Sequence, residues 1–170
     1  MKKARREFVQ ILFLSALIVL VLNNFIVQLY WIPSPSMEPT LLIKDRVIVS
    51  KVSYWRNQPE RGDIIVFKFP LDTKINLIKR VIGLPGERLS VKNNLVYIND
   101  KALTEPYVPT QIKIPDFGPV EIPAGQYFMM GDNRENSADS RVWGFVKHEQ
   151  IRGKAVYLYW PFTRAGKIEQ

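Results

Sequence analysis

Apolar positions run uninterrupted by charge from Phe8 to Tyr30 (FVQILFLSALIVLVLNNFIVQLY), and beyond Trp31 the chain breaks into short alternating runs. A helix rises about 1.5 Å per residue and a bilayer core is about 30 Å thick, so roughly 20 apolar residues span it. The first run therefore predicts a transmembrane helix over residues 8–30. Asn23, Asn24 and Gln28 dilute its second half and are expected at the interface or facing protein. Tyr30 and Trp31 suit an interfacial aromatic anchor.

The later runs carry the residues and the period of strands. Val47-Ile48-Val49, Ile64 to Phe67, Ile75 to Ile82, Leu95 to Ile98, Gln126 to Met130 and Ala155 to Trp160 are rich in β-branched and aromatic residues. Turn signals separate them: Gly62-Asp63, Pro85-Gly86, Asn93-Asn94, Asn99-Asp100 and Gly131-Asp132. Asn93-Asn94, between Leu89-Ser90-Val91 and Leu95-Val96-Tyr97, predicts a hairpin because Asn tolerates positive φ. No long segment after position 31 has helical periodicity, so this part is expected to be mainly β, in antiparallel sheets. The aromatic clusters Tyr54-Trp55 and Tyr157 to Phe162 are expected mostly in the core, with lipid contact as the alternative.

Charge refines the first segment. The chain has 24 basic and 16 acidic residues, a net charge of +8. Lys2, Lys3, Arg5 and Arg6 precede the apolar run with only Glu7 beside them, which orients the N-terminus to the cytoplasm. A cleaved export signal shares that basic start and apolar core. Residues 23–31 hold no Ala, Gly or Ser for cleavage, so an uncleaved anchor is expected. The remaining basic residues are scattered and do not interleave with aromatics, which argues against nucleic acid as a partner. With no cysteine and the single histidine His148, thiolate and multi-histidine metal sites are excluded. No metal and no cofactor are expected.

Three segments crowd small, polar and Pro/Gly residues at strand ends: Ile32 to Leu41 (IPSPSMEPTL), Leu77 to Gly86 (LIKRVIGLPG) and Gly131 to Arg141 (GDNRENSADSR). Singly, they read as a stiffened linker, a core strand and a polar turn. A serine hydroxyl is a weak nucleophile and needs an adjacent base. His148 sits in GFVKHE, an ordinary strand edge, and is expected at the surface. Lysine can serve instead when its amine is neutral. In a strand Lys79 shares a face with Ile75, Leu77 and Val81, and burial among them lowers its pKa. A drop of about two units costs roughly 3 kcal/mol and leaves a usable neutral fraction near pH 8. Arg80 points to the other face.

In this order the three segments resemble the nucleophile, general-base and C-terminal boxes of the type I signal peptidases. These are membrane-bound Ser-Lys serine endopeptidases of bacteria and organelles. Arg61 to Phe67 (RGDIIVF) resembles a further box, and with the anchor the likeness covers most of the chain. The resemblance implies an antiparallel β-sheet catalytic domain preceded by one N-terminal transmembrane helix. Residues 1–7 would be a cytoplasmic basic segment, 8–30 the anchor and 31–170 the extracytoplasmic catalytic domain. The membrane would be the plasma membrane or a thylakoid membrane. The short loop from Asp100 to Glu121 resembles compact members without a large inserted domain.

The same resemblance implies roles. Ser36 attacks the scissile carbonyl and Lys79 takes its proton. The Ser36 N–H and the Ser34 hydroxyl form the oxyanion hole. Ser137 orients the lysine, Asp139 and Arg141 form a nearby ion pair, and Asp132 supports the site by reaching Arg80. For these supporting residues a structural and a chemical role both stand open. Pro35 biases Ser34 towards an extended conformation. Tyr30, Ile32, Pro33, Met37, Leu77 and Ile78 would line shallow pockets for small residues at −3 and −1 of a signal peptide, or serve the core. Two rivals carry part of the pattern: a cytosolic self-cleaving Ser-Lys repressor, against which the anchor argues, and an anchored scaffold whose boxes are only turns.

Overall fold

A computed structural model describes residues 2–168; Met1 of the basic segment, Glu169 and Gln170 lie outside the described residues. The apolar run forms α1 (Lys2–Val21) and one π-helical turn (Leu22–Ile26). Its span Arg5–Ile26 is 22 residues long, with none of its most apolar window buried against protein. Apolar side chains all round a helix with no protein cover belong in lipid.

The helix ends at Ile26 and not at Tyr30. Val27 turns extended (φ −131°, ψ 156°), and β1 (Val27–Trp31) follows without a linker. Val-Gln-Leu-Tyr-Trp has the branched and aromatic content of a strand, and it pairs antiparallel with β2 (Arg46–Ser50), Val27 opposite Ser50 and Trp31 opposite Arg46. Lys51 Nζ bonds the carbonyls of Asn23 and Asn24 at 3.0 and 3.1 Å, a cation on the negative end of the helix.

The other strands are β3 (Ile64–Phe69), β4 (Asp72–Gly83), β5 (Arg88–Lys92), β6 (Leu95–Ile98), β7 (Lys101–Ala102), β8 (Phe117–Glu121) and β9 (Gln126–Met130). A short helix α2 (Ser140–Trp143) precedes β10 (Val146–Lys147), β11 (Ile151–Trp160) and β12 (Gly166–Lys167). The large sheet has the order β1-β2-β11-β3-β4-β9-β10, with β12 on β11, and the small one β7-β6-β5-β8. Every pairing is antiparallel, as the alternating runs predict. Asn93 and Asn94 adopt φ of 50° and 64° at the tip of the expected hairpin β5–β6.

Strand β3 explains why its sequence is apolar throughout. Ile64 and Val66 enter a core with Leu41, Val47 and Leu158, while Ile65 and Phe67 enter another with Val81, Tyr127 and Met129. A strand covered on both faces reads as a continuous apolar run. A third core fills the space under the small sheet, around Ile82, Leu89, Val96 and Phe128. The twelve residues of β4 run from the first two cores to the third, carrying Lys79 at their middle.

Several surface expectations change. Trp55, Tyr157, Trp160 and Phe162 are exposed, so the aromatic clusters are mostly not core; Tyr54 and Tyr159 are half-buried, and the Tyr54 hydroxyl donates to Asp63 at 2.7 Å. His148 is half-buried against Tyr127 and not a plain surface residue. The loop from Asp100 to Glu121 carries the edge strands β7 and β8.

Candidate active site

The serine segment leaves β1 through Ile32, whose N–H and carbonyl bond the Asp45 carbonyl and the Lys44 N–H, both at 2.9 Å. Ser34 is extended (φ −133°, ψ 157°), the conformation that the following proline favours. The chain then makes one 3-10 turn, Pro35–Met37. Ser36 occupies its second position, where a backbone N–H has no partner within the turn. Its side chain is buried, and Ser34 Oγ lies 3.3 Å from Ser36 Oγ.

Lys79 meets it from β4. Its Nζ donates to Ser36 Oγ at 2.6 Å and to the Ile78 carbonyl at 3.1 Å, and the residue is only 4% exposed. Burial lowers its pKa to about 8, against the opposing pull of Asp139 and then Asp132. Ile75 does not supply this burial: it is 47% exposed, whereas Val81 is fully buried.

Arg80, next in the strand, is as deeply buried and is matched in charge. Its Nε and Nη2 donate to the two carboxylate oxygens of Asp132 at 2.9 and 2.7 Å, and Nη1 donates to the Gly62 carbonyl. Thr40 Oγ1 donates to Asp132 at 2.5 Å, and the guanidinium carbon of Arg80 stands 3.7 Å from the ring centroid of Tyr107. Asp139 is paired the same way: Arg141 Nε and Nη2 reach its two oxygens at 2.8 and 2.7 Å, and the Gly131 N–H adds a bond at 3.1 Å. Bidentate arginine pairs engage both oxygens of each carboxylate, and Lys79 hydrogen-bonds neither of them.

The loop after β9 grips the serine turn from behind. Asn133 N–H donates to the Ser36 carbonyl and its side-chain amide to the Pro35 carbonyl, both at 3.2 Å. A Cβ on Gly131 would stand 2.3 Å from both the Ser36 carbonyl oxygen and Ser137 Oγ, so glycine is required by close approach. This packing corrects the expected role of Ser137. Its Oγ rests on Gly131, buried and with no hydrogen-bond partner among the described residues, while Lys79 takes the Ile78 carbonyl as its second partner.

Beside the serine and lysine lies a cleft of about 100 Å³. Tyr30, Ile32, Pro33, Leu77 and Ile78 line it together with Ser34 and Lys79. Met37 does not; it is fully buried in the core around Leu41 and Val47, on the inner side of the 3-10 turn. Trp31, Val66 and Asn76 complete the wall. Strand β1 is the end strand of its sheet, and β9 pairs with β4 only from Arg80 onward. Both cleft-forming segments thus keep a free strand edge.

Four supporting residues escape the sequence reading. Thr40 and Arg134 lie inside the singled-out segments, where their polar character was the available signal. Glu105 and Tyr107 lie in an irregular loop with none. Glu105 takes two bonds from Arg134, at 2.7 and 2.5 Å, and one from Tyr107 at 2.8 Å. Arg134 Nε in turn holds the Gly131 carbonyl.

Comparison with known proteins agrees with this geometry. Residues 5–160 match the family model described as signal peptidase, peptidase S26. The chain is 42% identical over 160 residues to a probable signal peptidase I-2 of Synechocystis, covering 91% of this chain and 72% of that one. It is 36% identical to signal peptidase I S of Bacillus subtilis, covering 98% and 95%. The crystal structure of a signal peptidase I from Enterococcus faecalis superposes with a TM-score of 0.52 at 36% identity, over 58% of this chain and 97% of that one. With the fold, the buried serine–lysine contact and these relatives in agreement, the chain belongs to the signal peptidase family, peptidase S26.

Proposed function

We propose that the chain removes N-terminal signal peptides from exported preproteins by a Ser36–Lys79 dyad. The observation that carries this reading is the 2.6 Å hydrogen bond between Ser36 and a lysine that burial holds near a pKa of 8. In its neutral form Lys79 accepts the Ser36 proton as Oγ bonds to the scissile carbonyl carbon. The Ser36 N–H and the Ser34 hydroxyl receive the developing oxyanion. Collapse breaks the C–N bond, and the new amine takes the proton back from Lys79. Water then gives a proton to Lys79 as its oxygen bonds the acyl carbon, and the Oγ–C bond breaks with Ser36 Oγ taking that proton back from Lys79.

The substrate segment lies extended between the free edges of β1 and β4 and adds a strand there. A cleft of about 100 Å³ beside the dyad fits small side chains at −3 and −1. Asp132, Arg80, Asp139 and Arg141 act on the reaction through the placement of Lys79 and Ser36, and Ser137 only through its packing on Gly131 behind the serine turn. The basic residues before the span put the N-terminus in the cytoplasm and the catalytic domain on the far side of a plasma or thylakoid membrane.

The test is cleavage of a preprotein by the full chain in detergent, with the new N-terminus sequenced. Wild type cuts after a small-x-small site, and Ser36→Ala abolishes the cut. Cutting by Ser36→Ala at the wild-type rate would refute the assignment of the nucleophile.

A further inference from the structure

A second and larger cavity, about 670 Å³, opens where the membrane helix meets the β domain. Its volume is within the roughly 300–1,000 Å³ of ligand sites. Asn24, Phe25 and Gln28 form one wall, and β-domain residues form the other. At about 1.5 Å per residue, the 22 residues of Arg5–Ile26 measure about 33 Å, close to the bilayer core. The cavity is therefore level with the lipid headgroups. Trp55, on its rim, is 69% exposed, and Phe25 is 60% exposed.

The charge on the wall is mainly positive. Lys51, Lys68, Lys74 and Arg152 line the cavity, against the single carboxylate of Glu149. Lys51 is engaged with the helix-end carbonyls. Lys68, Lys74 and Arg152 have no ion-pair partner among the described residues. His148 also lines the wall, and its Nδ1 is buried without a hydrogen-bond partner among the described residues. A roomy, polar, cationic cavity at headgroup height has the chemistry of a phosphodiester site.

We propose that this cavity binds the phosphate headgroup of an anionic phospholipid of the extracytoplasmic leaflet. The phosphate pairs with Lys68, Lys74 and Arg152, and the acyl chains lie along the helix beside Phe25. Tyr30 and Asn76 line both this cavity and the substrate cleft. An occupied headgroup site thus borders the path by which a peptide enters from the membrane.

Native mass spectrometry of the detergent-solubilised full chain tests this, with phosphatidylglycerol and phosphatidylcholine offered separately. The expected result is retention of phosphatidylglycerol in preference to phosphatidylcholine. Each cation removed weakens retention about fivefold, on the order of a hundredfold for K68Q/K74Q/R152Q. The double variant K74E/R152E changes only exposed residues, and it loses the preference if the triple variant fails to fold. K92Q/K101Q, on the small sheet, retains the lipid as wild type does. Equal retention of the two lipids, or undiminished phosphatidylglycerol on K74E/R152E, overturns the proposal. Displacement of the lipid by millimolar glycerol phosphate also overturns it, since the site would then serve a soluble phosphate ester.

Discussion

Lys79 and Arg80 are neighbours on one strand, both cationic in water and both buried, yet their surroundings oppose each other. Around Arg80 every charge has an answer: two oxygens of Asp132, the Gly62 carbonyl and the face of Tyr107. Around Lys79 the hydrogen-bond partners are a hydroxyl and a carbonyl, and the nearby carboxylates are committed to arginines. The guanidinium stays charged and fixes structure. The amine loses its proton near pH 8 and becomes available as a base. Burial alone does not make a base; burial with the compensating charge withheld does.

Breaking the unpaired side costs most. Lys79→Met should lower preprotein cleavage by on the order of 10⁴-fold or more, read as kcat/KM, because nucleophile and base act as a unit. Breaking the paired side costs stability. Asp132→Asn leaves Arg80 buried without its counter-charge, so urea unfolding should show a loss of about 3–5 kcal/mol.

Lys79→Met should also stabilise the fold. A folded pKa near 8 against 10.5 for a free lysine means the folded state holds fewer protons between those values, so stability rises with pH there. The cost of the buried charge is fully present below about pH 8 and vanishes above about pH 10.5. The variant should therefore gain about 3 kcal/mol at pH 6 and nothing at pH 11. A gain independent of pH would place the benefit in packing and not in charge.

The smallest effect sharpens the comparison most. Wild-type kcat/KM should rise with pH through a midpoint near 8. Arg141→Gln frees Asp139 to act on Lys79, and the midpoint should move up by about one unit. An unmoved midpoint would mean that arginine pairing does not control the lysine.

The strands were legible because half-covered sheets alternate and fully covered strands do not. Gln126 to Met130 and Leu95 to Ile98 fall on their observed bounds. Strand β1 was not, since Val27 to Trp31 prolongs an apolar run whose length suits a helix. Ser36 and Lys79 stood out through the company of their neighbours, but sequence order alone cannot say which carboxylate meets which cation. The Glu105–Arg134 pair joins residues 29 positions apart in the chain, and no local pattern announces such a contact. Met37, expected in the cleft from the resemblance alone, is carried into the core around Leu41 and Val47 by the 3-10 turn Pro35–Met37, a turn that no residue pattern announced.

The passage from Ile26 to Val27 has a consequence for inheritance. Because β1 leaves the membrane helix with no spacer and its register is held by β2 and by Ile32, one residue inserted between them would be taken up by the helix, turning it by about 100° and carrying the Asn23 and Asn24 carbonyls away from Lys51. Anchor length at this junction is therefore not free to drift, and chimeras that exchange anchors should place the splice upstream of Leu22, within the uniform helix.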